Sequence, residues 1–262
     1  MPLPPSGMPR ARPRAVGGSA GGPPVLAVVG ASGGAGASTL VAALGSATSR
    51  RGLSGVVVDL QPGGAGLDLV CGVDHVAGLR WSDLLDVEGA VDGAAVGLQL
   101  PSVAGFAVLS HARQAGAVPG AQVVAAVLQG LAEVFDVVAL DVCRGGVGQL
   151  EGLVGQLGAA VVLAGVGVVE VAAVAATVDA VTTMVGPPAV RLRGPRHRRR
   201  VCREVATELG LTDVEWLADD PSVARDVLAG RPPGRRRGAL SAAADTLLDR
   251  LACSPRRAAV AS

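Results

Sequence analysis

The chain has 262 residues, half of them hydrophobic, and a formal net charge of +1. That length supports one sizeable α/β core with tails rather than two packed domains. The four cysteines, at 71, 143, 202 and 253, show no CxxC and no metal-ligand spacing, which excludes a zinc or disulfide scaffold and reads as reduced thiols in a cytoplasm.

Aromatic side chains are few (Trp81, Trp216, Phe106 and Phe135, with no tyrosine), so the core must come from Val, Leu and Ala, which suits parallel strands buried on both faces. All 23 basic residues are arginine. Charge is uneven: residues 25–185 carry five arginines against thirteen acids, whereas residues 186–262 carry fifteen against nine. An acidic body with basic ends permits an anionic partner, although a solvated arginine face is the plainer account.

Residues 1–24, rich in Pro, Gly and Arg, read as a disordered leader. Arg10, Arg12 and Arg14 ahead of an apolar run have the outline of a signal peptide, but glycines at 30, 33, 34 and 36 interrupt the run, so export is not expected. Strands are predicted over 25–30, 55–60, 106–110, 136–141, 159–164, 189–193 and 214–217. Helices are predicted over 38–51, 79–85, 121–134, 148–156, 169–185, 197–209, 222–228 and 240–251. Residues 230–238 read as an exposed loop and 253–262 as a disordered tail. The longest apolar stretch, 159–169, is too short to span a bilayer. Continuous apolar strands separated by helices predict a three-layer α/β fold over residues 25–252, of P-loop NTPase type, with a mostly parallel sheet covered by helices on both faces.

Such a sheet binds ligands beyond the carboxyl ends of its strands. The first predicted strand breaks into Ala31-Ser-Gly-Gly-Ala-Gly-Ala37 and then Ser38-Thr39 at a helix start. Glycines let backbone amides turn inward and the helix N-terminus adds partial positive charge, so Gly33, Gly34, Ala35, Gly36, Ala37, Ser38 and Thr39 form a candidate phosphate cradle. Ser38 stands where a P-loop hydroxyl ligates magnesium. Asp59 ends a second strand, and Asp141 ends a third in the manner of a carboxylate that orients magnesium-bound water. The P-loop lysine position holds Ala37, and the chain contains no lysine. The same turn also fits the G-x-x-x-G-x-G of short-chain dehydrogenases, with Asp59 on a ribose. Those enzymes need a tyrosine and a lysine, and both are absent.

These segments, VVGASGGAGASTLVAAL, VVVDLQPGGAGLDLVCG, GLRWSDLL, LPSVAGFAVLS, FDVVALD and ADDPSVARDVLAGRPPGRRRGAL, resemble the MinD/ParA family of deviant Walker-A ATPases, and within it the actinobacterial CpaE-like branch of septum site-determining (Ssd) proteins. The resemblance covers about residues 25–250. It implies ATP and Mg2+ as cofactors, with Ser38 and Asp141 holding the metal, and Asp59 and Asp141 as the catalytic candidates. It also places the family's signature lysine at Ser32, its P-loop lysine at Ala37 and a switch aspartate at Gln61, three departures that predict weak nucleotide binding and slow or absent hydrolysis. The implied partners are a homodimer and cell-division or Tad-type secretion proteins. The implied role is septum placement or secretion assembly in the cytoplasm or at the membrane periphery. A scaffold that binds no nucleotide remains the alternative.

Arg144, just past Asp141, reads as solvated or as an arginine finger. Residues 191–203 hold seven arginines; a helix from His197 would align Arg196, Arg200 and Arg203 on one side. Either a solvated face or a contact with nucleoid DNA or anionic membrane through residues 196–203 accounts for them. The stripe Leu240, Ala244, Leu247, Leu248 and Leu251 reads as packing against the domain. His111, a lone histidine at a strand end, is assigned no catalysis. Trp81 and Trp216 are assigned to core or edge packing.

Overall fold

The computed structural model describes residues 25–64, 66–111 and 118–253. The expected leader (1–24) and the tail beyond Cys253 lie outside the described residues. Eight strands form one sheet in the order β3-β4-β2-β5-β1-β6-β7-β8: β1 (Val25–Gly30), β2 (Gly55–Asp59), β3 (Ser102–Val103), β4 (Phe106–Leu109), β5 (Val137–Cys143), β6 (Leu157–Gly165), β7 (Ala189–Gly194) and β8 (Val214–Ala218). Every pairing is parallel except β3 with β4. The central strands β1 and β2 are buried at every residue, as continuous Val and Leu runs require when both faces are covered.

One face packs against α1 (Ala37–Arg50), α2 (Leu67–Cys71) and α8 (Ala239–Cys253). The other lies under α4 (Ala121–Val134), α5 (Val168–Val185) and α6 (Val201–Glu208). The remaining helices are α3 (Gly93–Gln99) and α7 (Ser222–Leu228). α1 lies close to the sheet because its inward residues are small; a Cβ on Gly45 would fall 2.6 Å from the Phe106 ring. Leu240, Ala244, Leu247, Leu248 and Leu251 of α8 are buried, the predicted packing stripe. α5 is also long and apolar enough to cross a membrane, but Ala173, Val174, Thr177, Val178 and Val181 are buried within the fold.

Several predicted bounds change. Residues 81–83 and 144–153 are 3-10 helices rather than α-helix, and α6 starts at Val201 after a separate 3-10 turn, so Arg196 does not share its face. The loop 230–238 is only partly exposed: Pro232 and Pro233 are buried, and Ser46 Oγ on α1 donates to Pro233 O at 2.7 Å. β5 runs to Cys143 because Gly30 of β1 pairs with it, which leaves Asp141 two residues inside the strand rather than at its end.

Candidate functional site

The neighbouring strands β2, β5 and β1 end on one rim, and the loop 31–36 follows the last residue of β1. Ala31 N donates to Leu163 O (2.9 Å) and Ala35 N to Ser32 O (3.4 Å). Gly34 (φ 74°) and Gly36 (φ 99°) adopt left-handed backbone, which L-residues with a Cβ resist. Gly36 caps α1 with no side-chain hydrogen bond, and Leu40 N bonds back to Gly36 O at 2.9 Å. The amides of Ala37, Ser38 and Thr39 therefore have no acceptor within the helix. Ser32 Oγ is buried without a partner beside them. Amides converging at a positive helix end fit a phosphate group.

The two carboxylates stand level across the sheet, Asp59 pairing in register with Asp141 and Asp141 with Val28 of β1. Both are almost fully buried, and both are already engaged. Asp59 accepts from Gln61 N (2.9 Å) and Leu67 N (3.0 Å), so it fastens the loop after β2 to the start of α2. Asp141 accepts from Gln61 Nε2 at 2.5 Å and from the Ser38 hydroxyl. Burial pushes the Asp141 pKa up to about 7; the Ser38 bond opposes this, the Asp59 charge adds to it and the Gln61 bond opposes it. Asp59 is likewise raised, chiefly by burial, with the Gln61 and Leu67 amides working against it. The metal half of the site therefore fits less well than the phosphate half. Ser38 and Asp141 have the donor chemistry for magnesium, but Gln61 occupies one carboxylate oxygen and protonation competes near neutrality.

Trp81 underlies the rim. It is fully buried, its Nε1 donates to Asp59 O at 2.7 Å and its N to Ser110 O at 3.1 Å. The predicted packing role thus extends to holding the end of β2. The His111 ring lies 6.3 Å from that of Trp81, and burial lowers its pKa while the Asp59 charge raises it. Ser110 Oγ and His111 Nε2 are buried without hydrogen-bond partners. Trp216, on the edge strand β8, is half-buried.

One contact had no counterpart in the sequence reading. Arg193, from the end of β7, donates from Nη1 to Ala35 O (3.1 Å) and Gly34 O (3.5 Å), and from Nε to Asp219 Oδ1 (2.8 Å). Its place at a predicted strand end was the available signal. Arg144 is exposed at the mouth of β5, and Arg198, Arg199, Arg200 and Arg203 form an exposed basic face around the start of α6. Arg198 bonds weakly to Val166 O (3.4 Å). Cys71 and Cys202 are buried free thiols and Cys143 is partly covered. Among the described residues, no cluster of three His, Cys, Asp or Glu could hold a metal.

No family model matches the chain. Two curated Mycobacterium tuberculosis proteins, from different strains and both described as uncharacterized, are each 33% identical to it over 225 residues, which is 86% of this chain and 63% of theirs. The chain thus spans less than two thirds of their length. Among solved structures, the ParA family ATPase from Chlorobium tepidum superposes with a TM-score of 0.70 at 15% identity, covering 86% of this chain and 98% of that one. MinD in the Aquifex aeolicus MinC:MinD cell division complex gives 0.70 at 16%, covering 86% and 96%. Cobyrinic acid a,c-diamide synthase from Mycobacterium smegmatis, crystallised with an ATP analogue and magnesium, gives 0.63 at 21%, covering 89% and 97%. At these identities the likeness establishes the fold: the eight-stranded, mostly parallel α/β sheet of MinD/ParA-type P-loop ATPases.

Proposed function

We propose that the chain is a MinD/ParA-like regulatory protein of the CpaE/Ssd-like kind. In this reading it binds ATP weakly, hydrolyses it slowly or not at all, and acts in septum site determination or in Tad-type secretion assembly. The observation that carries the reading is the split within the site. The amide cradle of residues 33–39 is intact and uncapped, while both lysine positions hold uncharged residues (Ser32, Ala37) and Gln61 hydrogen-bonds the carboxylate that would orient metal-bound water. Bound magnesium would neutralise phosphate charge, with Ser38 and Asp141 as its holders. The rest of the chemistry falls to the protein's amides, which bind and orient a phosphate without stabilising charge on a transferring group. The solved relatives with an ATP analogue or ADP and magnesium support nucleotide as the ligand class. The MinC:MinD complex supports a protein partner.

A second reading, a scaffold that ignores nucleotide, is favoured by one observation: Gln61 Nε2 takes up an oxygen of Asp141, the carboxylate that would face a metal. Calorimetry with ATP and Mg2+ separates the two. Saturable binding, weakened about tenfold by Ser38→Ala or Asp141→Asn, supports the nucleotide-binding protein; absence of heat at millimolar ATP supports the scaffold. Rapid Asp141-dependent ATP consumption by the purified chain would overturn both.

A further inference from the structure

A lysine-free loop with three glycines needs something to hold it. Glycine offers the turn its left-handed backbone and, by the same freedom, many competing conformations. A bound phosphate can select the amide-inward form, and so can a group behind the loop. Arg193 stands in that place.

Its guanidinium touches three points. Nε is tied to Asp219 Oδ1 at 2.8 Å, and Nη1 donates to Ala35 O at 3.1 Å and, near the limit of a hydrogen bond, to Gly34 O at 3.5 Å. Arg193 is the penultimate residue of β7 and Asp219 follows β8, so the tie reaches from two strands away to the loop after β1. In a planar trans peptide the carbonyl and the following N–H point opposite ways. A carbonyl of Ala35 drawn outward onto Arg193 therefore aims the Gly36 N–H away from Arg193, whereas the Ala35 N–H is already given to Ser32 O at 3.4 Å. Successive N–H groups aimed to one side make an anion-binding concavity. Gly36 completes the fit: a Cβ there would lie 2.6 Å from Arg193 Nη1, so the glycine admits the guanidinium as well as the turn. A partly exposed arginine–carboxylate pair on its own contributes little. The two added carbonyl contacts and the glycine shaped to them set this one apart from a surface ion pair.

We infer that Arg193, anchored by Asp219, is a positioning residue that clasps the loop from behind and holds its amides turned toward the anion, with its charge adding to the field of the α1 N-terminus. The ligand half of this inference rests on the proposed nucleotide-binding function; the clasp itself does not.

The test uses the whole chain with Arg193→Ala, Arg193→Lys and Asp219→Asn, and two readouts beside the unfolding midpoint: ligand-free amide exchange across residues 34–38 by NMR, and calorimetric binding of inorganic tripolyphosphate. Arg193→Ala is expected to speed exchange at Gly36 about tenfold and to weaken tripolyphosphate about tenfold, with the midpoint nearly unchanged. Asp219→Asn moves both readouts the same way by less, and Arg193→Lys, a point charge without the fork, restores only part. Wild-type exchange and affinity in Arg193→Ala overturn the clasp while leaving the nucleotide-binding reading intact. If the wild-type chain binds no tripolyphosphate, that reading falls and exchange alone decides: faster in Arg193→Ala upholds the clasp, unchanged overturns it.

Discussion

One edge of the sheet and its centre handle buried charge in opposite ways. Around β7, β8 and α8, Arg191 is 2% exposed and meets Asp213 at 2.9 Å and Glu215 at 3.3 Å, and Arg250 of α8 closes on the same two carboxylates. Burial works against the Asp213 charge, but its bonds to Arg250 and Arg191 outweigh it and hold the pKa below the usual range. Around β2 and β5, Asp59 and Asp141 are as deeply buried and, among the described residues, are hydrogen-bonded by amides and a hydroxyl rather than by a cation, and their pKa values rise. A charge with partners fixed by the fold serves structure. Carboxylates left short of positive charge on these central strands are costly to hold ionised, which is the condition of groups retained for binding.

Among the charge substitutions, Arg191→Met should show the largest loss of stability. It removes the buried member of the four-charge group and leaves Asp213 and Glu215 to Arg250 alone, and because those carboxylates are a third to a half exposed, the loss should be about 2 to 3 kcal/mol, somewhat less than for a fully buried pair. Urea denaturation reads it. A loss under about 1 kcal/mol would remove the structural half of the contrast.

Asp141→Asn sharpens the other half, with opposite sign. The folded pKa, about 7, lies above the ordinary carboxylate value, so the folded state holds the extra proton. Stability from the neutral form is fully present below about pH 4 and is lost as pH rises through 7. The asparagine variant stays neutral throughout. It should therefore match wild type at pH 4 and exceed it by on the order of 4 kcal/mol at pH 8. Parallel stability-against-pH curves for the two proteins would show that the site carboxylate carries no such cost.

The same contrast explains what the sequence made legible. β1 and α4 match their predicted spans because a continuous apolar run and a long helical period are local signals, the first broken by glycine, the second flanked by Gly120 and Asp136. The glycine loop, Asp59 and Asp141 could be singled out because composition marks where apolar runs break, although β5 continues two residues past Asp141, and the sheet order places them on adjacent strands. Periodicity does not separate 3-10 from α-helix, and Gly145, Gly146, Gly148 and Gly152 in residues 144–153 left only the looser form. α3 was overlooked although Asp92 caps it through the amides of Ala94 and Ala95, a signal present in the letters. The Arg193 clasp and the Gln61–Asp141 bond join residues 158 and 80 positions apart, and beyond Arg193's place at a predicted strand end neither leaves a local trace.

The smallest expected effect lies at the seam between α1 and α8, where Arg51 meets Asp249 at 2.7 Å. Asp249 is 67% exposed, so water screens the pair and two long side chains lose freedom to make it. Arg51 also reaches Asp245 O, which persists when Asp249 is removed. Asp249→Ala should change stability by no more than about 0.5 kcal/mol, and by less in high salt. What holds α8 in place is instead the buried row Leu240, Ala244, Leu247, Leu248 and Leu251, and Leu247→Ala should cost about 2 to 4 kcal/mol in the same denaturation series. Were Asp249→Ala to approach that figure, the seam would be held electrostatically, and the charge group around Arg191 would not be the only one in this half of the molecule with a structural role.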